Sequence, residues 1–294
     1  MHVRLGLTLA AASLVACSVF ADLDGFSGGN CGPECASDGG TPLDPDATRP
    51  LVPDGSDAAS DGGVAGEPLS EAILRDRPIA YFRFEESSGD VCKNEVSGSP
   101  LICSLSSGSP GGLRLRATGS GGSRVGVGLA STDAAVVISG TFPFVGLRAF
   151  AVEAILQVSN VAKKVLIAQR MVFAGGTGPP ETGDLFFLND TGRFRTEGWR
   201  GGAHLFYTLA AAEAVQARWY HVVYGYSSAL ERDYLYVDGV PQDGSVLNGG
   251  DAGGGRAAID LPQVWGNWTG TLDELAFYDR ELTAAQIATH RAAQ

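Results

Sequence analysis

Apolar and polar residues alternate in short runs from about Arg77 to the end of the chain. In one such run, Phe82 and Phe84 share a face of the predicted strand and Arg83 takes the other. Glycine, aspartate and asparagine separate the runs, which is typical of an all-β sandwich or barrel. We predict strands over residues 79–85, 134–138, 150–158, 164–170, 184–188, 193–199, 204–209, 219–226, 234–237 and 271–278.

Two local motifs predict a hairpin and a helix. Asp238-Gly239 separates two apolar residues and favours a type I′ turn, because both central residues of that turn need positive φ. Thr283 and Gln286 form the T-x-x-Q pattern of a capping box. We therefore predict a short alanine-rich helix that begins after Thr283 and ends at about Ala292.

The alternation is absent from residues 18–70, which are rich in Asp, Gly, Pro, Ser and Ala. This composition buries too little apolar surface to offset the entropy of ordering, so we assign residues 17–76 to a disordered linker. Residues 18–70 carry a net charge of −9, whereas the chain from Glu71 onward carries −4. Because nucleic-acid binding needs a basic surface, these charges argue against a nucleic-acid partner.

The first residues of the chain resemble a bacterial lipoprotein signal. Arg4 precedes an apolar stretch that is shorter than the roughly 20 residues needed to span a bilayer. The stretch ends in Leu14-Val15-Ala16-Cys17, which resembles a lipobox. The resemblance implies a signal peptide over residues 1–16 and a lipid on Cys17, which would anchor the exported protein to a bacterial membrane without a spanning helix. The alternative is an ordinary secretory signal in which Cys17 has no special role.

The four other cysteines form two close pairs in the sequence, Cys31 with Cys35 and Cys92 with Cys103. An exported compartment permits disulfides, and the local pairings are the simplest of the three that four cysteines allow. Zinc binding is the competing interpretation, but neither pair has a histidine nearby. We therefore predict a disulfide within each pair.

Five segments of the domain at residues 77–294 carry motifs that are typical of β-strands: 80–89 (AYFRFEESSG), 150–154 (FAVEA), 219–223 (WYHVV), 235–239 (LYVDG) and 269–282 (TGTLDELAFYDREL). In this order they resemble the strands of laminin-G-like, concanavalin A-like jelly-roll domains. The resemblance implies two antiparallel sheets of about six or seven strands, with the first and last strands paired. Ile155 departs from the pattern, because the family often has tryptophan there.

The chain lacks a recognisable catalytic pattern. Glycosidases of this fold carry E-x-D-x-x-E on one strand, and none of the predicted strands has it. Asp273 and Glu274 are adjacent, so strand alternation is expected to point their carboxylates to opposite faces. We interpret Glu153 as a structural hydrogen-bonding residue and His221 as a packed histidine. We therefore predict no catalytic residues and no enzymatic activity.

The resemblance also allows a structural calcium ion, since related sandwiches often hold one near a sheet edge. The candidate ligands are Glu86, Asp90 and Asp273, because the first and last strands should be neighbours. We do not include calcium, or any other metal or cofactor, among the predicted functional groups.

Three tryptophans are the candidates for a ligand-binding surface, because exposed indole rings stack on sugars or pack against protein partners. Trp199 ends the predicted strand 193–199 beside Arg200, where a loop is predicted, and Trp265 and Trp268 flank Asn267 before the closing strand. We predict that these residues bind a glycan or an envelope protein, unless the rings cap the core at the edge of the sandwich. The alternative function is a polysaccharide-acting enzyme, either a glycosidase or a lyase, and a glycosidase would need two convergent carboxylates.

Overall fold

The computed structural model describes residues 67–119, 124–142, 149–161, 165–173, 180–200, 203–230, 232–242, 244–246 and 263–294. Two helices lie within these ranges, α1 (Leu69–Arg75) and α2 (Ala284–Ala292). The strands are β1 (Ala80–Phe82), β2 (Val91–Cys92), β3 (Leu101–Ser106), β4 (Leu113–Thr118), β5 (Val125–Leu129), β6 (Ala135–Gly140), β7 (Phe150–Val158), β8 (Val165–Phe173), β9 (Pro180–Leu188), β10 (Phe194–Arg200), β11 (Ala203–Leu209), β12 (Trp219–Ser227), β13 (Arg232–Val237), β14 (Val240–Pro241), β15 (Gly244–Val246), β16 (Gln263–Gly266) and β17 (Gly270–Tyr278).

The strands form two antiparallel sheets, as predicted. Sheet A has the order β14-β13-β12-β7-β17-β5-β4, and β1 pairs with β17 beside this path. Sheet B has the order β15-β11-β10-β9-β8-β16-β6-β3-β2. The pairing of β1 with β17 confirms that the first and last strands of the sandwich are neighbours.

Among the described strands, seven were not predicted, and four of these, β2 to β5, lie at one end of each sheet. In β4 the side chains alternate only between half-buried and exposed, because the strand is at the edge of sheet A. Such a strand needs no apolar stripe, so its sequence carries little of the signal that identifies central strands. These additional strands explain why the described sheets contain eight and nine strands rather than six or seven.

Aromatic side chains fill the core between the two sheets. The Phe186 ring of β9 lies 4.9 Å from the Tyr224 ring of β12, which joins sheet B to sheet A. Phe194 stacks on the other side of Phe186 at 5.6 Å and meets Tyr220 edge-on at 5.0 Å. Each such pair adds about 0.5–1.5 kcal/mol to the effect of burial, so this stack holds the sandwich closed.

A second apolar cluster covers the outer face of sheet A, where α1 and α2 pack. Ile73 of α1 and Ile287 of α2 belong to this cluster with Ile155 and Val223 of the sheet. Strands β7 and β17 are therefore buried along their whole length. We had assigned the residues of α1 to the disordered linker, and that part of the assignment is wrong because Leu69 and Ile73 are buried. Burying an aliphatic side chain contributes about 1.5–3 kcal/mol, which acts against the entropy cost of ordering the helix.

The predicted turn and helix cap are both confirmed. Asp238 and Gly239 have φ values of 52° and 79° and connect β13 to β14. The Thr283 hydroxyl oxygen accepts a hydrogen bond from the Gln286 backbone N–H, and the Thr283 backbone N–H donates one to the Gln286 side-chain oxygen, which completes the capping box.

The predicted disulfide between Cys92 and Cys103 is also confirmed, and it joins opposed residues of β2 and β3. Cys17, Cys31 and Cys35 lie outside the described residues. Neither described helix has the length and hydropathy required to cross a membrane.

Candidate ligand-binding site

Two of the three candidate tryptophans are buried, so the prediction that their rings are exposed is wrong. Trp265 is 0% exposed and Trp268 is 1% exposed, and both belong to the core between the sheets. Strand β16 lies between β6 and β8 inside sheet B, which directs the Trp265 ring toward Phe186 at 6.4 Å. Asn267 is a half-buried turn residue with a φ of 64°. A ligand cannot stack on either indole without opening the core.

Trp199 and Arg200 end strand β10, where Trp199 pairs through its backbone with His204 of β11 and Gly183 of β9. Strand β10 thus includes Trp199, as predicted for strand 193–199, and also Arg200, which we had placed in a loop. Their side chains are outside the part of the structure that is described. Strands β9 and β8 separate β10 from β16, so the five candidate residues do not occupy neighbouring strands.

A β-bulge brings Asp273 and Glu274 to the same side of sheet A. The pairing of β17 with β7 shifts register between Asp273 and Ala276, and Glu274 adopts a φ of 49°. A bulge re-aims the side chains beside it, so the expectation that strand alternation separates these two carboxylates is wrong. Gly126 of β5 allows the close approach of the strands, because a Cβ there would lie 2.3 Å from the carbonyl oxygen of Leu272.

Both carboxylates line an open cavity of about 430 Å³. A second irregularity helps to form it, because the pairing of β4 with β5 shifts register between Arg114 and Ala117, and Arg116 adopts a φ of 50°. Strained backbone of this kind is often found at functional sites. The cavity is lined by Glu85, Arg116, Arg124, Val125, Asp273, Glu274 and Gln294.

Two acids of the cavity, Glu85 after β1 and Glu274 in β17, contact side chains of β1 or of the residues just after it. The Tyr81 hydroxyl donates a hydrogen bond to Glu274. Arg83 places its Nε 3.8 Å from the Glu274 carboxylate and its Nη2 2.6 Å from the Glu85 carboxylate. Glu85 and Glu274 are thus both held by Arg83.

The two arginines of the cavity are held more loosely. Arg124 Nη1 lies 3.4 Å from Asp273 Oδ2, and its Nη2 lies 3.4 Å from the backbone oxygen of Gln294. Arg116 Nη1 donates to the backbone oxygen of Glu85 at 3.3 Å. These distances exceed those of a strong charged hydrogen bond, which are about 2.7–2.9 Å.

Burial and mutual repulsion change the charge of the acidic pair. Burial, and then the charge of Glu274, raise the pKa of Asp273 to about 8, against the opposing effect of Arg124. Burial also raises the pKa of Glu274, although Tyr81 and Arg83 oppose the change. Asp273 is therefore mostly protonated at neutral pH and can both donate and accept a hydrogen bond.

A family model described as the concanavalin A-like lectin/glucanases superfamily, Laminin_G_3, matches residues 129–288, more than half of the chain. The chain belongs to this superfamily. No curated protein matches the chain in sequence.

Several solved structures share the fold of this concanavalin A-like domain at low sequence identity. The botulinum neurotoxin serotype D binding domain has a TM-score of 0.53 at 11% identity, covering 74% of this chain and 51% of that one. A sialidase of Trypanosoma rangeli has a TM-score of 0.51 at 13% identity, covering 79% of this chain and 36% of that one. Domain 4 of a GH43 arabinanase from Geobacillus stearothermophilus, solved with arabinotriose, has a TM-score of 0.50 at 11% identity, covering 74% of this chain and 98% of that one. The chain thus spans about half or less of the first two structures.

The concanavalin A-like domain contains a second acidic site, buried beneath α1 and α2. Glu153 of β7 is 0% exposed and accepts hydrogen bonds from His221 Nε2 at 2.6 Å, the Tyr278 hydroxyl at 2.8 Å and His290 Nδ1 at 3.0 Å. His290 Nε2 lies 2.9 Å from the Asp76 carboxylate, which follows α1. The group therefore ties both helices to sheet A.

Partners determine the charges of this buried group. Burial alone would raise the pKa of Glu153, but the charge of His290 and hydrogen bonds from both histidines hold it below its usual value. Burial would lower the pKa of His290, but Glu153 and Asp76 raise it to about 10. Glu153 is ionised and paired, as expected of a structural hydrogen-bonding residue, and no ligand can reach it.

Within the described ranges, histidine, cysteine, aspartate and glutamate form no group of three or more that could hold a metal ion. Glu86 instead accepts a hydrogen bond from the Lys93 backbone at 2.6 Å. The structure therefore does not bring together the three candidate calcium ligands Glu86, Asp90 and Asp273.

Sequence reasoning missed the arginines of the cavity. Arg116 and Arg124 flank a glycine-rich segment without a family motif, and their convergence depends on two bulges. The adjacent acids Asp273 and Glu274 were the only available signal for this site.

Proposed function

We propose that this chain is a carbohydrate-binding module that recognises its ligand in the cavity beside the β17 bulge. The observation that carries the proposal is the convergence of Asp273, Glu274, Arg116 and Arg124 on one open cavity. Sugar hydroxyls are both donors and acceptors of hydrogen bonds. The carboxylates supply acceptors, the guanidinium groups supply donors, and protonated Asp273 supplies both.

The rigid setting of the cavity supports binding. Asp273 and Glu274 lie on β17, which is paired on both sides and covered by the helices, so ligand binding would order few side chains on this strand. Domain 4 of the arabinanase was solved with arabinotriose, which makes saccharides a reasonable first ligand class to test.

A glycan array followed by titration calorimetry would test this proposal. We expect Asp273→Ala to weaken binding of the array ligand by about tenfold or more, since it removes a buried hydrogen-bonding group. Asp279→Ala is the matched control, because that carboxylate is exposed and lies outside the cavity lining. Loss of binding in Trp199→Ala, with Asp273→Ala unchanged, would move the site to the end of β10.

The second candidate function is a polysaccharide-acting enzyme, either a glycosidase or a lyase. It is favoured by the convergence of Glu85, Asp273 and Glu274 on the cavity and by the raised pKa of Asp273, which suits a general acid. Release of reducing ends from a polysaccharide panel, abolished by Asp273→Asn, would establish it. Binding without product release would favour the non-catalytic module.

We also propose that the protein is exported and lipid-anchored at the cell envelope through Cys17. The signal-like residues before Cys17 support this, and the disulfide between Cys92 and Cys103 suits an oxidising compartment. An envelope protein remains the alternative ligand. Labelled palmitate should be incorporated into the wild-type protein and lost in Cys17→Ala; equal labelling of both would refute the anchor.

A further inference from the structure

The arginines of the cavity have fewer charged partners than its acids. Arg116 is exposed and forms no ion pair among the described residues; its one contact is the backbone oxygen of Glu85. Arg124 is only 20% exposed, and among the described residues it makes two long contacts, with the Asp273 carboxylate and with the backbone oxygen of Gln294. A guanidinium group has five donors, so most of those on both arginines remain available to a ligand.

The acids of the cavity are occupied by other groups. Glu85 is paired with Arg83, and Glu274 is held by Tyr81 and Arg83. Asp273 carries little negative charge at neutral pH because it is mostly protonated. The cavity therefore combines the exposed guanidinium group of Arg116 and the loosely held guanidinium group of Arg124 with acids that are either paired or neutral.

We infer that the cavity is selective for an acidic saccharide whose carboxylate is bound between Arg116 and Arg124. This inference rests on the proposed function and specifies its ligand class. A guanidinium group binds a carboxylate through two parallel hydrogen bonds, a geometry that a hydroxyl group cannot match. Asp273, which lies beside Arg124, can then hydrogen-bond a hydroxyl of the same sugar.

The test compares trigalacturonate with its methyl ester, which has the same sugar rings without the charge. In calorimetry, the wild-type protein should bind trigalacturonate at least about tenfold more tightly than the ester, since hydrogen bonds to charged groups are the stronger ones. Arg116→Gln and Arg124→Gln should each remove most of this preference. Arg124→Lys should restore part of it, because the charge returns without the fork.

Arg218→Gln is the matched control, because Arg218 is exposed, is paired with Asp238 and lies outside the cavity lining. It removes one positive charge and should leave the preference unchanged. Circular dichroism of each variant would show that the sandwich is intact.

The outcomes separate this inference from the proposed function. Equal affinity for acid and ester, or binding of neutral array glycans alone, would overturn the acidic ligand while leaving a carbohydrate-binding module in place. Failure to bind any saccharide on the array or in calorimetry would overturn both. Lactate binding as tightly as trigalacturonate would indicate a general carboxylate site and would contradict the saccharide assignment.

Discussion

Two buried acids on sheet A differ in how well their charge is compensated. Glu153 receives hydrogen bonds from two histidines and a tyrosine, all within 3.0 Å. Asp273 has a single guanidinium contact at 3.4 Å and an acidic neighbour. Burial opposes ionisation at both positions, but the pKa of Glu153 falls and that of Asp273 rises to about 8.

The comparison indicates which acid is structural and which is available to a ligand. At Glu153 every nearby donor belongs to the protein, and the site is closed by α1 and α2. At Asp273 the backbone N–H of Glu274 donates at 3.0 Å, but the cationic partner Arg124 is distant at 3.4 Å and the site opens to solvent. A buried acid whose charge is weakly compensated beside an open cavity can gain a partner from a ligand, which is why we place function there.

The largest effect is expected from removing the main partner of Glu153. His290→Gln should lower the free energy of unfolding by about 3–5 kcal/mol, because it leaves a buried carboxylate without its cation. The contribution of His290 is fully present below its unfolded pKa of 6.5 and is lost as pH rises through about 10. Urea denaturation at neutral pH measures the difference. A change below about 1 kcal/mol would mean that His290 does little to stabilise the charge of Glu153. The contrast between Glu153 and Asp273 would then fail.

A smaller effect is expected when Glu153 loses only its neutral donor. Tyr278→Phe should cost about 1–3 kcal/mol, because the ring stays buried while one hydrogen bond to a charged group disappears. The same denaturation series provides the value. A cost equal to that of His290→Gln would show that hydrogen-bond number, and not charge, determines the stability of the group.

The effect at Asp273 should depend on pH. Its folded pKa of about 8 exceeds the unfolded value of 3.8, so the folded state binds more protons and stability falls as pH rises between these values. Asp273→Asn should remove this fall and match the wild type within about 1 kcal/mol at the acidic end. Denaturation across this pH range measures the slope, with Asp279→Asn as an exposed control. An unchanged slope in Asp273→Asn would show that Asp273 ionises normally.

The smallest effect is expected at the surface of α2. Arg291 lies one residue after His290, but its guanidinium is exposed and 3.7 Å from Asp238. Arg291→Gln should therefore change the free energy of unfolding by less than about 1 kcal/mol. A larger loss would indicate that His290→Gln acts by weakening the helix and not by exposing the charge of Glu153.

The fold could be predicted from the sequence where periodicity and local chemistry agree. Strands such as β7 and β12, the Asp238-Gly239 turn and the capping box at Thr283 are specified by residues next to one another in the chain. Edge strand β4 and helix α1 were missed, because the first buries little and the second is ordered by contacts with residues far away in the sequence.

The candidate site could not be predicted in the same way. Asp273 and Glu274 were recognised but were assigned to opposite faces of the sheet. Side chains alternate between faces only where the strand register is regular, and the bulge after Asp273 interrupts that register. For the tryptophans the error was in burial, because rings that we predicted to be exposed are buried. Trp265 and Trp268 are chemically suited to sugar stacking, but the core between the sheets buries both rings.

The most direct test of the cavity is a nuclear magnetic resonance titration of the folded domain with trigalacturonate. We predict that the Nε–H signals of Arg116 and Arg124 and the backbone amides of Asp273 and Glu274 shift together and saturate at one ligand concentration. The Trp265 and Trp268 indole signals should stay in place, because their rings are buried. Saturable shifts confined to Trp199 and its neighbours on β10, with the cavity signals unchanged, would contradict the account.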